Sequence, residues 1–374
     1  MAIILHVDMD CFFAAVEERE NPEYAGKSLI IGADPAFSRG VVSTCNYPAR
    51  TFGVHSAMPI SKAYRLCPDG IYVRPRFELY SKVSRKLKMI FKTYASVYES
   101  GGIDEAYLDI SYVGDYERAL DVARRLQKHV FEAEKLTCSV GVGPNTLVAK
   151  VASDFQKPNG ITVVRAEDAA AFLAPLPVRK LLGVGPRTEE KLNELGITTV
   201  GQLQTSDSRA LSSIFGKHGR YLHAAACGIG STHIGGHHDV KSIGAQRTFF
   251  SDTRDTEKIL SLMGKLCAEL VEQARDQSLC FKTVTIVVRY EDFATFNKSF
   301  TLKFATDDEG VLFRVVRKLS IPFFQDSRKI RLIGVRVTQL YKMEEEQERL
   351  GNWMSNDMSE MSNRKLRALA PRIR

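Results

Sequence analysis

The chain opens on an apolar run, Ile3-Ile4-Leu5 and Val7, which stops at Asp8-Met9-Asp10 before a second apolar patch begins at Cys11-Phe12-Phe13. The run reads as a buried strand, and the segment from Cys11 to about Glu20 as a helix. Residues two apart on a strand share a face, so Asp8 and Asp10 project the same way from its end. Asp10 suits the N-cap of the following helix. Asp8 is left over: a carboxylate behind four apolar residues needs a cation, a donor or water.

Further along, up to about residue 165, short strands alternate with amphipathic helices. ALDVARRLQKHVFEAE (119–134) has a helical period, and TCSVGVG (137–143) reads as a strand entering a turn. Residues 169–203 show short helices punctuated by Gly and Pro. GIGSTHIGGHHDVKSIG (228–244) has no apolar period and reads as a linker. Its His233, His237 and His238 have no partner ligands nearby, so a solvated linker outweighs a metal site. A strand-helix-strand pattern then resumes: KSIGAQRTFF, a helix over about 255–276, FKTVTIVVRYED, FNKSFTLKFA, a helix over about 308–319, and KIRLIGVRVTQLY. That order fits a small α+β domain, one sheet backed by two helices. The charge-segregated tail from 343 onward is expected to be flexible.

Composition narrows the picture. At 374 residues the chain exceeds what one core usually supports, so several domains are expected. No apolar run approaches the ~20 residues of a membrane span. His6 and Asp8 interrupt the first apolar stretch, and no basic region or cleavage site accompanies it, so no signal peptide and a cytoplasmic location are expected. Seven scattered cysteines without CxxC spacing fit reduced thiols and argue against a disulfide framework or structural zinc. A formal charge of +8 permits an acidic partner. Basic residues outnumber acidic ones between 243 and 342. Several alternate with apolar residues on the expected strands (Lys282, Arg289, Lys298, Lys303, Arg331, Arg336), which predicts one positive sheet face suited to phosphates.

The residue left over at Asp8 gains company at YESGGIDEAYLDIS (98–111). Gly101-Gly102 allows a bend, and Asp104-Glu105 sits at the reversal before a strand Tyr107–Ile110. With Asp8 these acids would make a hard oxygen site for Mg²⁺ or Mn²⁺. Two such ions about 3.5–4 Å apart activate an attacking oxygen and stabilise a leaving pyrophosphate. Cations for a triphosphate should then be near. STCNYPARTFGV (43–54) has Tyr47 and Arg50 three apart, and DFQKPNGI (154–161) puts Lys157 before a turn. Arg supplies a bidentate fork and Lys a point charge. In LLGVGPRTEEKLNELG (181–196), Gly183-Val184-Gly185 falls between two expected helices. Glycines there let the backbone approach a phosphate, and the next helix offers free N–H groups.

Taken together, HVDMDCFFAAVE, STCNYPARTFGV, SGGIDEAYLDIS and VAKVASDFQKPNGI, in this order, resemble the Y-family translesion DNA polymerases over residues 1–342. The resemblance implies a multidomain α/β and α+β fold, a right-handed polymerase. Its parts would be palm (1–10 and 78–166), fingers (11–77), helical thumb (167–233), a linker (234–242) and an α+β little-finger domain (243–342). It implies metal binding by Asp8, Asp104, Glu105 and the Met9 carbonyl. Thr44, Tyr47, Arg50 and Lys157 would hold a dNTP, and Phe13 would lie under the sugar as a steric gate against ribonucleotides. Small residues Ser43 and Ala57 would roof the nascent pair and leave slack for mispairs or damaged bases. The expected partners are primer-template DNA and dNTPs, with the protein acting as a monomer and no membrane involved. In the tail, Gln347, Leu350, Trp353 and Met354 have the spacing of a sliding-clamp peptide. Rival readings are another two-metal palm enzyme or a silent DNA-binding protein. A nuclease has no need of Tyr47, Arg50 and Lys157, a nucleotidyl cyclase has none of the glycine hairpin, and a silent protein has none of three intact carboxylates.

Overall fold

Strand β1 (Ile4–Met9) leads into helix α1 (Phe12–Glu20). Next come β2 (Leu29–Gly32), β3 (Val42–Cys45), α2 (Tyr47–Thr51), α3 (Ile60–Leu66) and β4 (Ile71–Val73), a small lobe whose three-stranded sheet has the order β3-β2-β4. Helix α4 (Phe77–Lys92), β5 (Val97–Ser100), β6 (Glu105–Asp109), α5 (Tyr116–Glu134), β7 (Cys138–Gly143), α6 (Thr146–Ser153) and β8 (Ile161–Val163) return to β1. They complete a five-stranded sheet of order β5-β6-β1-β7-β8. Five short helices follow: α7 (Ala169–Leu173), α8 (Pro186–Glu194), α9 (Val200–Thr205), α10 (Ser208–Phe215) and α11 (Lys217–Ala226). The structure, a computed structural model, describes residues 1–37, 39–236 and 239–342 and divides the chain into two compact units, 1–237 and 238–374. The candidate clamp residues Gln347, Leu350, Trp353 and Met354 lie outside the described residues.

The five-stranded sheet has two unlike faces because side chains alternate. Leu5, Val7, Ala106, Leu108, Val140 and Val142 point into a core completed by α4 and α5. Helix α4 buries Tyr80, Val83, Leu87 and Phe91, and α5 buries Ala119, Val122, Leu126 and Val130, each at helical spacing. Phe12, Val16, Leu29 and Ile31 join this core, so α1 and one side of β2 pack with the five-stranded sheet, while Ile30, Val42, Ile60 and Ala63 form a separate core within the small lobe. The opposite face carries His6 and Asp8, paired across the strands with Tyr107 and Glu105. Helix α6 covers that face closely. A Cβ at Gly141 would sit 1.9 Å from the Ala149 carbonyl oxygen, so only glycine admits the helix. The other side of α6, with Leu147, Val148 and Val151, enters the apolar cluster of α7 to α11.

Three expectations need correction. Asp10 does not cap α1: the N-cap is Cys11, in left-handed backbone (φ 47°) with no side-chain cap bond. Asp10 is buried instead, accepting from Ser139 Oγ (2.7 Å) and from the Asn159 amide (2.8 Å). A buried carboxylate takes the strongest donors in reach, and two fixed ones lie across the sheet. The stretch from Gly228 to Gly235 is no free linker either. Asn145 Nδ2 donates to the Gly228 carbonyl (2.8 Å), Thr146 N to the Ser231 carbonyl (3.0 Å), and Gly235 N to Glu99 (2.8 Å). The glycine hairpin, third, is preceded by a 3₁₀ turn, Val178–Lys180, and not by a full helix.

The second unit is a four-stranded antiparallel sheet ordered β11-β10-β12-β9, built from β9 (Ser242–Thr253), β10 (Leu279–Tyr290), β11 (Thr295–Thr306) and β12 (Ile330–Lys342). Helices α12 (Thr256–Asp276) and α13 (Glu309–Phe324) cover one face through Met263, Leu266, Leu270, Leu312 and Val316. Helix α13 runs past its expected end at 319 to Phe324, with Pro322 in its last turn, where proline withholds one N–H from the carbonyl four residues earlier. The positive face is only partly as expected. Arg289 and Arg336 point away from the helices with Thr283, Thr285 and Ser299, whereas Lys298 pairs with core residue Ile286 and falls on the other face.

Candidate active site

Three elements bring the predicted residues together. The end of β1 and the start of β6 are direct neighbours: Asp8 pairs with Glu105, and the Met9 amide donates to the Asp104 carbonyl at 3.0 Å. The tight reversal before Glu105 is closed by Gly101 and Gly102 amides, which both donate to the Glu105 carbonyl. Three carboxylates therefore crowd one corner of the sheet, with the Asp8 side chain 17% and that of Glu105 23% exposed.

Helix α6 and the turn after it supply two ammonium groups. Lys157 Nζ lies 2.6 Å from Asp8 Oδ1 and 3.0 Å from Asp154 Oδ1, and Lys150 Nζ lies 2.5 Å from Glu105 Oε2. Lys150 and Ser153 stand about one turn apart on α6, and Lys157 reaches the same corner from the turn that follows the helix. Ser153 Oγ donates to the Lys150 carbonyl (2.8 Å) and lies 2.8 Å from His6 Nδ1. His6 Nε2 lies 3.4 Å from both Lys150 Nζ and Glu105 Oε2. Ligand atoms of His6, Asp8 and Glu105 all fall within 4.8 Å of one another.

The charges respond to these surroundings. The hydrogen bond with His6, helped by Lys150 and opposed by burial, holds the Glu105 carboxyl down at about 2. Burial raises Asp8, with Lys157 pulling the other way. Burial also raises Asp104, and the negative charges of Asp8 and Glu105 add to the effect. Burial lowers His6 and keeps its imidazole neutral. Asp104 has no ion-pair partner among the described residues. A site with three crowded acids, one of them uncompensated, fits hard divalent cations.

The phosphate candidates come from the small lobe. Asn46 caps α2, accepting from the Ala49 amide at 3.1 Å, and its Nδ2 ties the helix to the Lys27 carbonyl at 2.7 Å. That cap fixes Tyr47 and Arg50 on one side, with the guanidinium 5.1 Å from the Tyr47 ring centre. The Tyr47 hydroxyl is buried without an oxygen or nitrogen partner; beside it is the Cys11 thiol, a weak donor whose pKa burial pushes up to about 11. An unpaired buried hydroxyl aimed at a cavity is a ready donor for a ligand oxygen.

A cavity of about 330 Å³ gathers Asp8, Met9, Phe13, Thr44, Tyr47, Arg50, Asp104 and Lys157, and Ser43 lines it too. Glu105 stands beside it, held toward Lys150 and His6. Ala57 does not line it; the neighbouring Ser56 does. Phe13 lies in the first turn of α1, half-buried, while Phe12 is core. Gly183 and Gly185 lie elsewhere in the first unit, in the turn before α8. Gly183 is left-handed (φ 90°) and packs against the Tyr221 ring, while Gly185 N-caps α8 without a side-chain cap bond. Sequence reasoning missed His6, Lys150 and Ser153. His6 shares Asp8's strand face, so the strand period held its signal, whereas Lys150 reaches Glu105 from a helix that ends before Lys157.

Comparison with known proteins adds an independent line. The impB/mucB/samB family matches residues 7–154, its C-terminal domain 240–351, and the IMS family HHH motif 166–197. "DNA polymerase IV 2" of Methanosarcina mazei is 44% identical over 348 residues, covering 92% of this chain and 94% of that relative. "DNA polymerase IV" of Listeria monocytogenes serovar 1/2a is 41% identical over 338 residues, covering 90% and 95%. Among solved structures, a Y-family DNA polymerase chimera of Dbh and Dpo4 is similar at a TM-score of 0.83 and 32% identity, covering 91% of this chain and 99% of that one. An insertion ternary complex of Dbh DNA polymerase is similar at 0.63 and 31% identity, with the same coverage.

Proposed function

The chain belongs to the Y-family DNA polymerases, DNA polymerase IV type, and from that premise we propose how its own residues carry out the family's reaction. It is a DNA-directed DNA polymerase of the translesion kind, adding dNTPs to a primer 3′ end by the family's two-metal mechanism. One observation carries the assignment of residues: acids, phosphate-binding cations and an aromatic ring converge on one cavity.

Asp8, Asp104 and Glu105, with the Met9 carbonyl, would hold two divalent ions, Mg²⁺ or Mn²⁺. When bound, these ions supply the charge that activates the primer 3′-oxygen and neutralises the leaving pyrophosphate. Lys150 and His6 keep Glu105 ionised and aimed at the corner. Lys157 balances Asp8 until a triphosphate arrives, and its ammonium is then within reach of phosphate oxygens. The unpaired Tyr47 hydroxyl donates to a phosphate oxygen, and Arg50 clamps the same group with its fork. Thr44 lines the phosphate end of the cavity, and Ser43 leaves slack above the nascent pair. Phe13 walls the sugar side.

Primer-template DNA is the macromolecular partner. The α8 N-terminus behind Gly183 and Gly185 would take a backbone phosphate, and the bare face of the second sheet others, without reading sequence. The palm would span 1–10 and 78–166, with fingers 11–77, thumb 167–233 and little finger 243–342. The tail peptide at Gln347, Leu350, Trp353 and Met354 would engage a sliding clamp, the protein otherwise acting as a monomer. The decisive assay is primer extension on a primed template with dNTPs and Mg²⁺. Templated extension is the expected outcome, and binding of the template without extension would refute the assignment.

A further inference from the structure

Behind Phe13, helices α1 and α4 meet along a ladder of two rungs. In the first rung the Phe13 ring stacks on Tyr80, centroids 4.2 Å apart and planes 15° from parallel, with Phe77 edge-on at 5.9 Å. The second rung lies one helical turn further along α1, where the Glu17 carboxylate, 1% exposed, accepts the Tyr80 hydroxyl at 2.6 Å. Arg76, one turn before Tyr80 on α4, donates to both Glu17 oxygens, its Nε at 2.9 Å. Tyr80 therefore belongs to both rungs: its ring supports Phe13 and its oxygen is tied to Glu17.

We propose that Glu17 is a positioning residue for sugar discrimination, fixing the Phe13 ring through Tyr80. The proposal rests on Phe13 as the sugar gate. A carboxylate inside an apolar core is costly to bury, and apolar side chains of like volume would pack two helices as well. What the carboxylate adds is direction. A stacked ring held only by dispersion can slide over its neighbour, because each atom contact is worth about 0.1–0.2 kcal/mol. A phenol anchored at its oxygen by a charge-assisted hydrogen bond cannot slide along its long axis. Burial raises the Tyr80 phenol, so it stays a donor. A 2′-hydroxyl pressing on Phe13 then meets a ring with nowhere to retreat.

The test compares kcat/KM for a dNTP with that for the matching rNTP. Tyr80→Phe keeps the ring and loses only the anchor. Its dNTP-over-rNTP ratio should fall about five- to tenfold, less than the full worth of one charge-assisted hydrogen bond because only part of the lost anchoring bears on the sugar. Glu17→Ala should fall alike, while Glu17→Gln, which retains an acceptor oxygen for Tyr80, should regain most of the ratio. In a Phe13→Ala background none of these changes should matter further. A structural role alone would lower the melting temperature and slow both sugars equally. If Tyr80→Phe keeps the full ratio while Phe13→Ala loses it, the proposal is overturned and the gate reading survives. If Phe13→Ala itself keeps the ratio, the gate reading fails and takes the proposal with it.

Discussion

The five-stranded sheet of the first unit and the four-stranded sheet of the second each bury one face under two long helices, and they differ in the fate of the other face. In the first, α6 lies against that face through Gly141, and the polar residues beneath it are half-buried, paired and shifted in pKa. In the second, the face away from the helices is lined with cross-strand hydroxyl pairs, Thr283 with Thr301 at 2.9 Å and Thr285 with Ser299 at 2.8 Å, and with Arg289 bonded to Thr295. Covering a polar face turns its charges into directed, strongly coupled groups, because low dielectric magnifies each interaction. Leaving it bare keeps it adaptable, which suits contacts that need reach and no fixed register. Under the proposed roles, one sheet architecture would serve chemistry or grip according to what lies on its polar side.

The largest expected effect tests that division directly. Asp104→Ala or Glu105→Ala should lower extension by about 10³-fold or more, the scale of losing transition-state charge stabilisation. Equilibrium binding of primed template should stay within a few-fold. A parallel loss of binding would mean that the covered face also grips DNA.

Next in size is a matched pair of glycines. Gly141→Ala drives a methyl group into the α6 backbone, and overpacking of this kind costs about 1–3 kcal/mol or more. Its melting temperature and its kcat should both drop. Gly244→Ala in the second sheet brings its methyl 3.1 Å from Arg336 Cβ and Cγ and 3.4 Å from the Val335 carbonyl oxygen, a far looser fit than the 1.9 Å at Gly141. Thermal denaturation should find less than about 1 kcal/mol lost there. Equal costs would erase the contrast between the faces.

Salt should separate the two regions by a smaller margin. If about five phosphates are contacted, log K for duplex DNA should fall with a slope of about −4 to −5 against log salt, and Arg336→Ala should reduce the slope by about one. A flat titration would count against the bare face.

The smallest effects are in pH dependence without divalent ions. Glu105 is held at about 2 against its usual 4.5, so it stabilises the fold above pH 4.5 and loses that contribution as pH falls toward 2. Melting curves in EDTA should therefore show Glu105→Gln less stable than the parent at pH 7, the gap closing below pH 4.5. Asp104 is shifted the opposite way, so its ionised form burdens the fold at neutral pH. Asp104→Asn should melt higher at pH 7, and no rise would contradict the crowding of the three acids.

Local pattern alone placed much of this molecule. The periods of α5, α12 and the second-unit strands emerged within a few residues of their ends, because each buries one continuous stripe. Asp8 stood out because a carboxylate closing an apolar strand is an anomaly wherever the strand goes, and the acidic reversal at Asp104-Glu105 drew weight only from it. Asp10 was misread because a helix cap and a cross-sheet brace look alike in sequence. The donors that won it, Ser139 and Asn159, are more than a hundred residues away. Lys298 was misassigned because the alternation was not followed along β11: Lys298 and Lys303 are five apart, so a regular strand puts them on opposite faces. What composition, spacing and motif determined was the family and the reaction. What only the tertiary structure decided was which charges share a space: Lys150 against Glu105, the Tyr47 hydroxyl left unpaired, Glu17 behind the ring of Tyr80. Electrostatics and hydrogen bonds act over a few ångströms of space, and those distances exist only after strands far apart in sequence have paired.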